Sequence, residues 1–269
     1  MSMFRSMHRH AFSLVELSIV LVILGLLTGG ILGGQALIRA AELRSVSTDV
    51  AKYRTAMATF RDKYLQNPGD ITNATQFWGA ADGGDGIGSD CRGAETLDQR
   101  TCNGNGDGLI GAHPDLEYAR LWQHLSNAGI IEGRYIGTGA SYVTSCTVSS
   151  PGCLYPGSKL GGNSLWMISR VEPTYGYTYS YYDNKNALLL TSSVTSPILG
   201  GTLKPEDAYN IDMKMDDGKP GTGTIMNSRT GQCDTSPINS TSDAARQSAN
   251  YALTNQSLTC VMHFMDVMP

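Results

Sequence analysis

The chain has 269 residues, 41% of them hydrophobic, which is enough to bury a core in one large domain or two ordinary ones and excludes wholesale disorder. Charged residues make up only 16%, while Gly reaches 31 and Tyr 13, so the surface is expected to be built largely from Ser, Thr, Asn, Gly and Tyr. The net charge of -4 divides unevenly: residues 1–65 carry 8 Lys/Arg against 4 Asp/Glu, leaving 12 against 20 for residues 66–269. Gripping a phosphate backbone needs clustered Lys/Arg, so no nucleic-acid partner is expected.

The first 38 residues are the most informative. Met1 to His10 is short and basic, with Arg5 and Arg9, and Leu17 to Gly34 is then 18 residues without a charge, rich in Leu, Ile and Val. At 1.5 Å per residue such a run covers roughly 27 Å, nearly the hydrocarbon thickness of a bilayer. The basic flank is expected to stay cytoplasmic, placing the rest of the chain across the membrane. A secretory cleavage site at Thr28, Gly29 and Gly30 fits poorly. Apolar character instead continues through Ile38 and becomes amphipathic in RAAELRSVSTDVAKYRTAMATFRDKYLQ, with no proline before Pro68. Val46, Val50, Tyr53, Met57, Phe60 and Tyr64 recur at three or four residues, one face of a helix. Anchor and stalk are therefore expected to form one helix from about Ser13 to Leu65.

Glu16 breaks the plain anchor pattern. A carboxylate costs about 2.5 to 3.5 kcal/mol at mid-bilayer and less near an interface; the periodicity leaves open an interfacial Glu favoured by the helix dipole. The local sequence HAFSLVELSIVLVILGLL resembles the processing signal of type IV pilins and type II secretion pseudopilins: a basic leader, a small residue, Phe, three residues, Glu, then the apolar helix. The resemblance implies that Ala11–Phe12 is the bond cut by a prepilin peptidase and N-methyltransferase, that Phe12 becomes the methylated N-terminus, and that Glu16 is the assembly glutamate. The family usually has Gly where this chain has Ala11. It further implies a leader at 1–11, a transmembrane and assembly half-helix at 12–38, a stalk half at 39–65 and an exported head at 66–269. The protein would sit in the bacterial inner membrane, in contact with lipid, before joining other pilin-like subunits in a pilus or periplasmic pseudopilus.

The physical logic agrees. A new amine at Phe12 can pair with Glu16 of a neighbouring subunit inside an apolar bundle, fixing register because a misaligned stagger leaves an uncompensated charge. Gly25, Gly29, Gly30, Gly33 and Gly34 either allow close helix packing or weaken the helix by about 0.5 to 1 kcal/mol each; the resemblance favours loosening on assembly.

In the head, Gln66-Asn67-Pro68-Gly69-Asp70 is a helix stop and turn, and Asp70 to Gly106 is expected to be mostly loop. A second helix fits Asp115 to Ala128, with Leu116, Ala119, Trp122 and Leu125 on one face, Asp115 as a cap and Gly129 as the stop, packing against the stalk. Strand patterns follow at Ser164–Val171, Gly176–Tyr182, Ala187–Ser192 and Gly223–Asn227, with a short helix near Pro205 to Met215 before the turn Asp216-Asp217-Gly218. The expected class is α+β: a long N-terminal helix on a small antiparallel sheet with disulfide-closed loops, as in pilin-like proteins. FRDKYLQNPGDITNATQFWG and EDAYNIDMKMDDGKPGTG also resemble segments of a large pilin-like subgroup.

All six cysteines, Cys91, Cys102, Cys146, Cys153, Cys233 and Cys260, lie beyond the membrane segment, and an even count in an exported region argues for disulfides. Nearest-neighbour pairing joins Cys91 to Cys102, Cys146 to Cys153 and Cys233 to Cys260. In Asn103-Gly-Asn105-Gly-Asp107-Gly108-Leu109, oxygen side chains alternate and Gly108 stands at the sharp turn of a calcium loop, so Asn103, Asn105, Asp107 and Leu109 are candidate calcium positions. The twelfth position is Pro114, not the bidentate Glu, so Asp115 or Glu117 substitutes only in an irregular loop; the alternative is a Gly/Asn turn held by its own side chains. Calcium-binding pseudopilins exist, which is what the resemblance adds; no cofactor is required.

Enzyme signatures such as G-x-S-x-G and H-E-x-x-H are absent, and no catalytic role is expected. Tyr175, Tyr177, Tyr179 and Tyr181 alternate on one sheet face, either against the stalk or toward a ligand. Two functional classes remain: a filament-forming minor pilin or pseudopilin, and a membrane-tethered binding module, such as a calcium-dependent adhesin, that does not polymerise.

Overall fold

The computed structural model describes residues 13–81, 99–111, 117–137, 154–171, 185–193, 200–227, 232–235 and 243–268. The expectations for Ala11, Phe12, Cys91, Asp115, Leu116, Cys146, Cys153 and the tyrosine-rich strand over 176–182 lie outside the described residues. The chain forms two compact units, Met1–Glu42 and Leu43–Pro269. One 51-residue helix, α1 (Leu14–Tyr64), supplies residues to both.

In the first unit α1 is long and apolar enough to cross a membrane, and none of its most apolar 18-residue window is buried among the described residues. It runs unbroken through Gly25, Gly29, Gly30, Gly33 and Gly34, each with open space where a Cβ would stand. Lipid offers nothing to a stray polar hydrogen. Accordingly, Ser18 donates its hydroxyl to the Val15 carbonyl (2.8 Å) and Thr28 to the Leu24 carbonyl (2.7 Å).

In the second unit the apolar stripe of α1 behaves as its spacing predicts: Val46, Val50, Tyr53, Met57 and Phe60 are buried. Next comes α2 (Ala74–Trp78), one short turn inside the stretch expected to be loop. α3 (Glu117–Asn127) buries Ala119, Leu121, Trp122 and Leu125 and stops before Gly129, which takes a φ of +70°. It packs on α1 as expected, the Trp122 and Tyr53 rings meeting edge to face at 4.9 Å.

The sheet joins β1 (Leu165–Val171), β2 (Lys185–Thr191), β3 (Ile225–Asn227) and β4 (Met262–Phe264) in the order β1-β2-β4-β3, with every pair antiparallel. Trp166 lies opposite Leu190, and His263 opposite both Leu189 and Met226. β2 is buried from Asn186 to Thr191, as a central strand must be. α4 (Pro205–Met215) precedes β3, and α5 (Asp243–Ser248) lies between β3 and β4. Trp166 locks sheet to helix: its indole N–H donates to the Asp49 carboxylate at 3.2 Å, and its ring lies 5.9 Å from Tyr53 and 5.8 Å from Phe264. The α+β architecture is the expected one.

Cys233 and Cys260 form the expected C-terminal disulfide across a separation of 27 residues, both fully buried, and Cys102 is also disulfide-bonded. The Cys260 carbonyl accepts the N–H groups of Thr202 and Leu203 and its N–H donates to Leu203, so backbone bonds tie the approach to β4 to the segment ahead of α4 and the bridge adds Cys233 to that junction. A loop of that size restricts the unfolded chain by about 3 to 4 kcal/mol. Cys233→Ser with Cys260→Ser is therefore expected to lower the melting temperature of the head by about 6 to 16 °C. Thermal unfolding followed by circular dichroism measures this, and an unchanged midpoint contradicts it.

Candidate functional site

The first functional position is the start of α1. Glu16 turns back on its own helix: its Oε2 accepts the Ser13 N–H at 3.0 Å, while the Ser13 hydroxyl oxygen accepts the Val15 N–H at 3.3 Å. The sequence Ser13-Leu14-Val15-Glu16 carries the Ser-x-x-Glu pattern of a capping box, formed here with the hydroxyl on the second helical amide in place of the third.

A second constellation forms around the expected calcium loop with a different membership. One carboxylate oxygen each from Asp70, Asp107 and Glu117 lies within 4.8 Å of the others. Asp70 accepts the N–H groups of Gly106 (2.6 Å) and Gly108 (2.9 Å), and Glu117 those of Asn105 (3.0 Å) and Gly111 (2.8 Å). Asp107 accepts the Leu109 N–H at 2.8 Å. Of the sequence candidates, Asp107 and the substitute Glu117 belong to the cluster. Asn103 instead accepts the Thr75 N–H of α2, and Asn105 accepts the Asp107 N–H. Glu117 does reach the irregular loop, and Asp70 contributes from the turn after α1. Gly104 permits that approach, since a Cβ there would stand 2.3 Å from the Asp70 backbone.

Burial is the main reason that Glu117 is pushed up to about 7 and Asp70 raised, against the backbone donors that oppose it. A third group, Asp212, Asp216 and Asp217, closes the C-terminal end of α4. Asp212 accepts Gly218 N–H and the Tyr251 hydroxyl (2.8 Å), and Asp216 accepts the N–H groups of Thr224 and Ile225, joining the turn to β3. Burial raises Asp212 to about 7.

His124 is structural. Its Nδ1 accepts the Gly69 N–H at 3.0 Å, which leaves the proton on Nε2, facing Thr101 Oγ1 at 2.9 Å. Burial, then the Arg120 guanidinium, hold it down near 3, and burial alone holds His263 near 4. These groups oppose one another. Glu117 and Asp212, raised on folding, stabilise fully below their unfolded values of 4.5 and 3.8 and lose that contribution as pH rises through about 7. The histidines, lowered on folding, stabilise above 6.5 and lose it as pH falls toward 3 to 4. Stability is therefore expected to be nearly flat from pH 4.5 to 6.5, where both pairs titrate, and to fall below pH 4. In Glu117→Gln with Asp212→Asn, only Asp70 of these raised carboxylates remains against the histidines, and the stability obtained from urea titrations rises with pH by at most about 1.4 kcal/mol per pH unit per histidine. A flat profile in that variant contradicts the balance.

Residues 6–32 match the family model described as the prokaryotic N-terminal methylation motif. No curated protein and no solved structure matches the chain. The motif covers the Ala11–Phe12 junction, Glu16 and most of the apolar run, and it implies processing by a prepilin peptidase and assembly with pilin-like subunits.

Proposed function

We propose that the protein is a structural, filament-forming pilin-like subunit, a minor pilin or pseudopilin. It is cut between Ala11 and Phe12, methylated at Phe12 and assembled through α1 into a type IV pilus or type II secretion pseudopilus. The observation that carries this reading is the methylation motif at residues 6–32, set on a helix whose apolar window no other described residue buries. That surface has two fitting environments, lipid before assembly and other apolar helices after it. The basic leader stays cytoplasmic and the head is exported, in keeping with the Cys233–Cys260 bridge. The role is mechanical, with no catalysis by the chain. Mass spectrometry of the membrane-extracted protein tests it: a mature chain starting at methylated Phe12 is expected, and an intact leader beside an active prepilin peptidase, or a cut near Gly30, overturns it.

Asp70, Asp107 and Glu117 also favour calcium as a staple in this head. The donors are all carboxylate oxygens, the chemistry a hard divalent cation takes, and their convergence within 4.8 Å fits one. An ion held there would supply positive charge joining the turn after α1, the loop 103–111 and α3. Millimolar calcium is expected to raise the melting temperature more at pH 8 than at pH 5, because protons compete for Glu117. No shift at either pH, or the same shift in Glu117→Gln, rejects the staple.

A further inference from the structure

The reciprocal bonds at the start of α1 give Ser13 a role of its own. We propose that Ser13 is a positioning residue for Glu16: its hydroxyl fixes the first turn by accepting the Val15 N–H, and its backbone N–H, oriented by that cap, holds one carboxylate oxygen of Glu16 over its own helix. This rests on the reading of Glu16 as the assembly carboxylate. A helix start leaves its first amides without intrahelical partners, and at membrane depth water does not answer them. Here the Val15 N–H is answered by the Ser13 hydroxyl at 3.3 Å and the Ser13 N–H by Glu16 Oε2 at 3.0 Å. Ser13 also supplies the carbonyl for the first helical turn, accepting the Leu17 N–H at 3.2 Å.

The bond to Ser13 draws Glu16 back along the helix axis, although a side chain at the third helical position is otherwise free to project sideways into lipid. Its carboxylate thus does two jobs with separate chemistry: an acceptor for its own backbone, which an amide oxygen performs equally well, and a negative charge for a partner, which an amide cannot supply.

The test uses the full-length protein, in bilayers for amide exchange and in cells with an active prepilin peptidase for assembly, scored among cleaved chains. Ser13→Ala is expected to speed hydrogen exchange at the Val15 amide about five-fold, the loss that about 1 kcal/mol of capping represents, and Ser13→Thr to restore it. Glu16→Ala speeds exchange at the Ser13 amide by a similar factor, whereas Glu16→Gln leaves it slow. The assembled fraction falls in Ser13→Ala and recovers in Ser13→Thr. An unchanged Ser13 amide in Glu16→Ala overturns the cap, and a Ser13→Ala chain with a frayed start that assembles at the wild-type level overturns the positioning role. A wild-type chain that never enters filaments overturns the filament reading, and the assembly part of this proposal with it, while the exchange pattern still decides the cap.

Discussion

Glu16→Ala is expected to give a chain that is cleaved and membrane-resident yet missing from sheared filaments and from crosslinked complexes with other pilin-like subunits. The substitution removes the acceptor but leaves a neighbour's amine to be buried, and breaking a desolvated pair from one side costs roughly 3 to 5 kcal/mol. Membrane insertion should be unharmed or slightly improved, since an apolar helix loses its only charge among residues 13–38. The two effects have opposite signs, so poor expression cannot imitate the result. Entry of Glu16→Ala into those assemblies at the wild-type level removes the intersubunit pair and favours a tethered module.

Trp166→Ala is expected to cost the head about 3 to 5 kcal/mol, because it empties a fully buried site between α1 and the sheet. The same change strips Asp49 of the indole donor that it accepts at 3.2 Å. Trp166→Phe separates these contributions: it keeps most of the ring volume and loses the N–H, and a loss of about 1 to 2 kcal/mol is expected. Thermal unfolding of the full-length protein in detergent should place the phenylalanine variant well above the alanine variant. Equal midpoints would mean that the helix–sheet contact depends on the hydrogen bond and not on packing.

What was legible in the sequence follows from how local each signal is. α1 is written in a period of three to four with no proline from Leu14 to Tyr64, and every residue of the stripe from Val46 to Phe60 is buried where that period puts it. β4 was not read, because three residues, Met262-His263-Phe264, are too few to establish a period. The carboxylate cluster was half legible. The Asn-Gly-Asn-Gly-Asp run marked the loop, but spacing could not show that Asn103 would turn to the start of α2 or that Asp70, 37 residues before Asp107, would enter. Such convergence is set by the Gly69 and Gly104 close approaches, which are tertiary. The cap at Ser13 is legible as Ser-x-x-Glu, a local pattern that needs no tertiary contact.

The placement of β4 governs when this head can exist. Met262–Phe264 lies between β2 and β3, so among the described strands β3 has no partner until the last one arrives. Its neighbour β2 waits across more than 70 residues of chain, and loop closure over that distance must precede any gain from the pairing. A chain emerging N-terminus first therefore leaves β3 unpaired until nearly the end of its synthesis. Cys260 stands two residues before β4, so the sheet and the Cys233–Cys260 bridge both wait for the last residues of the chain to be made. A message truncated just short of Met262 would deliver an anchored helix with no finished head, a species that proteases can recognise by its unpaired strand edges.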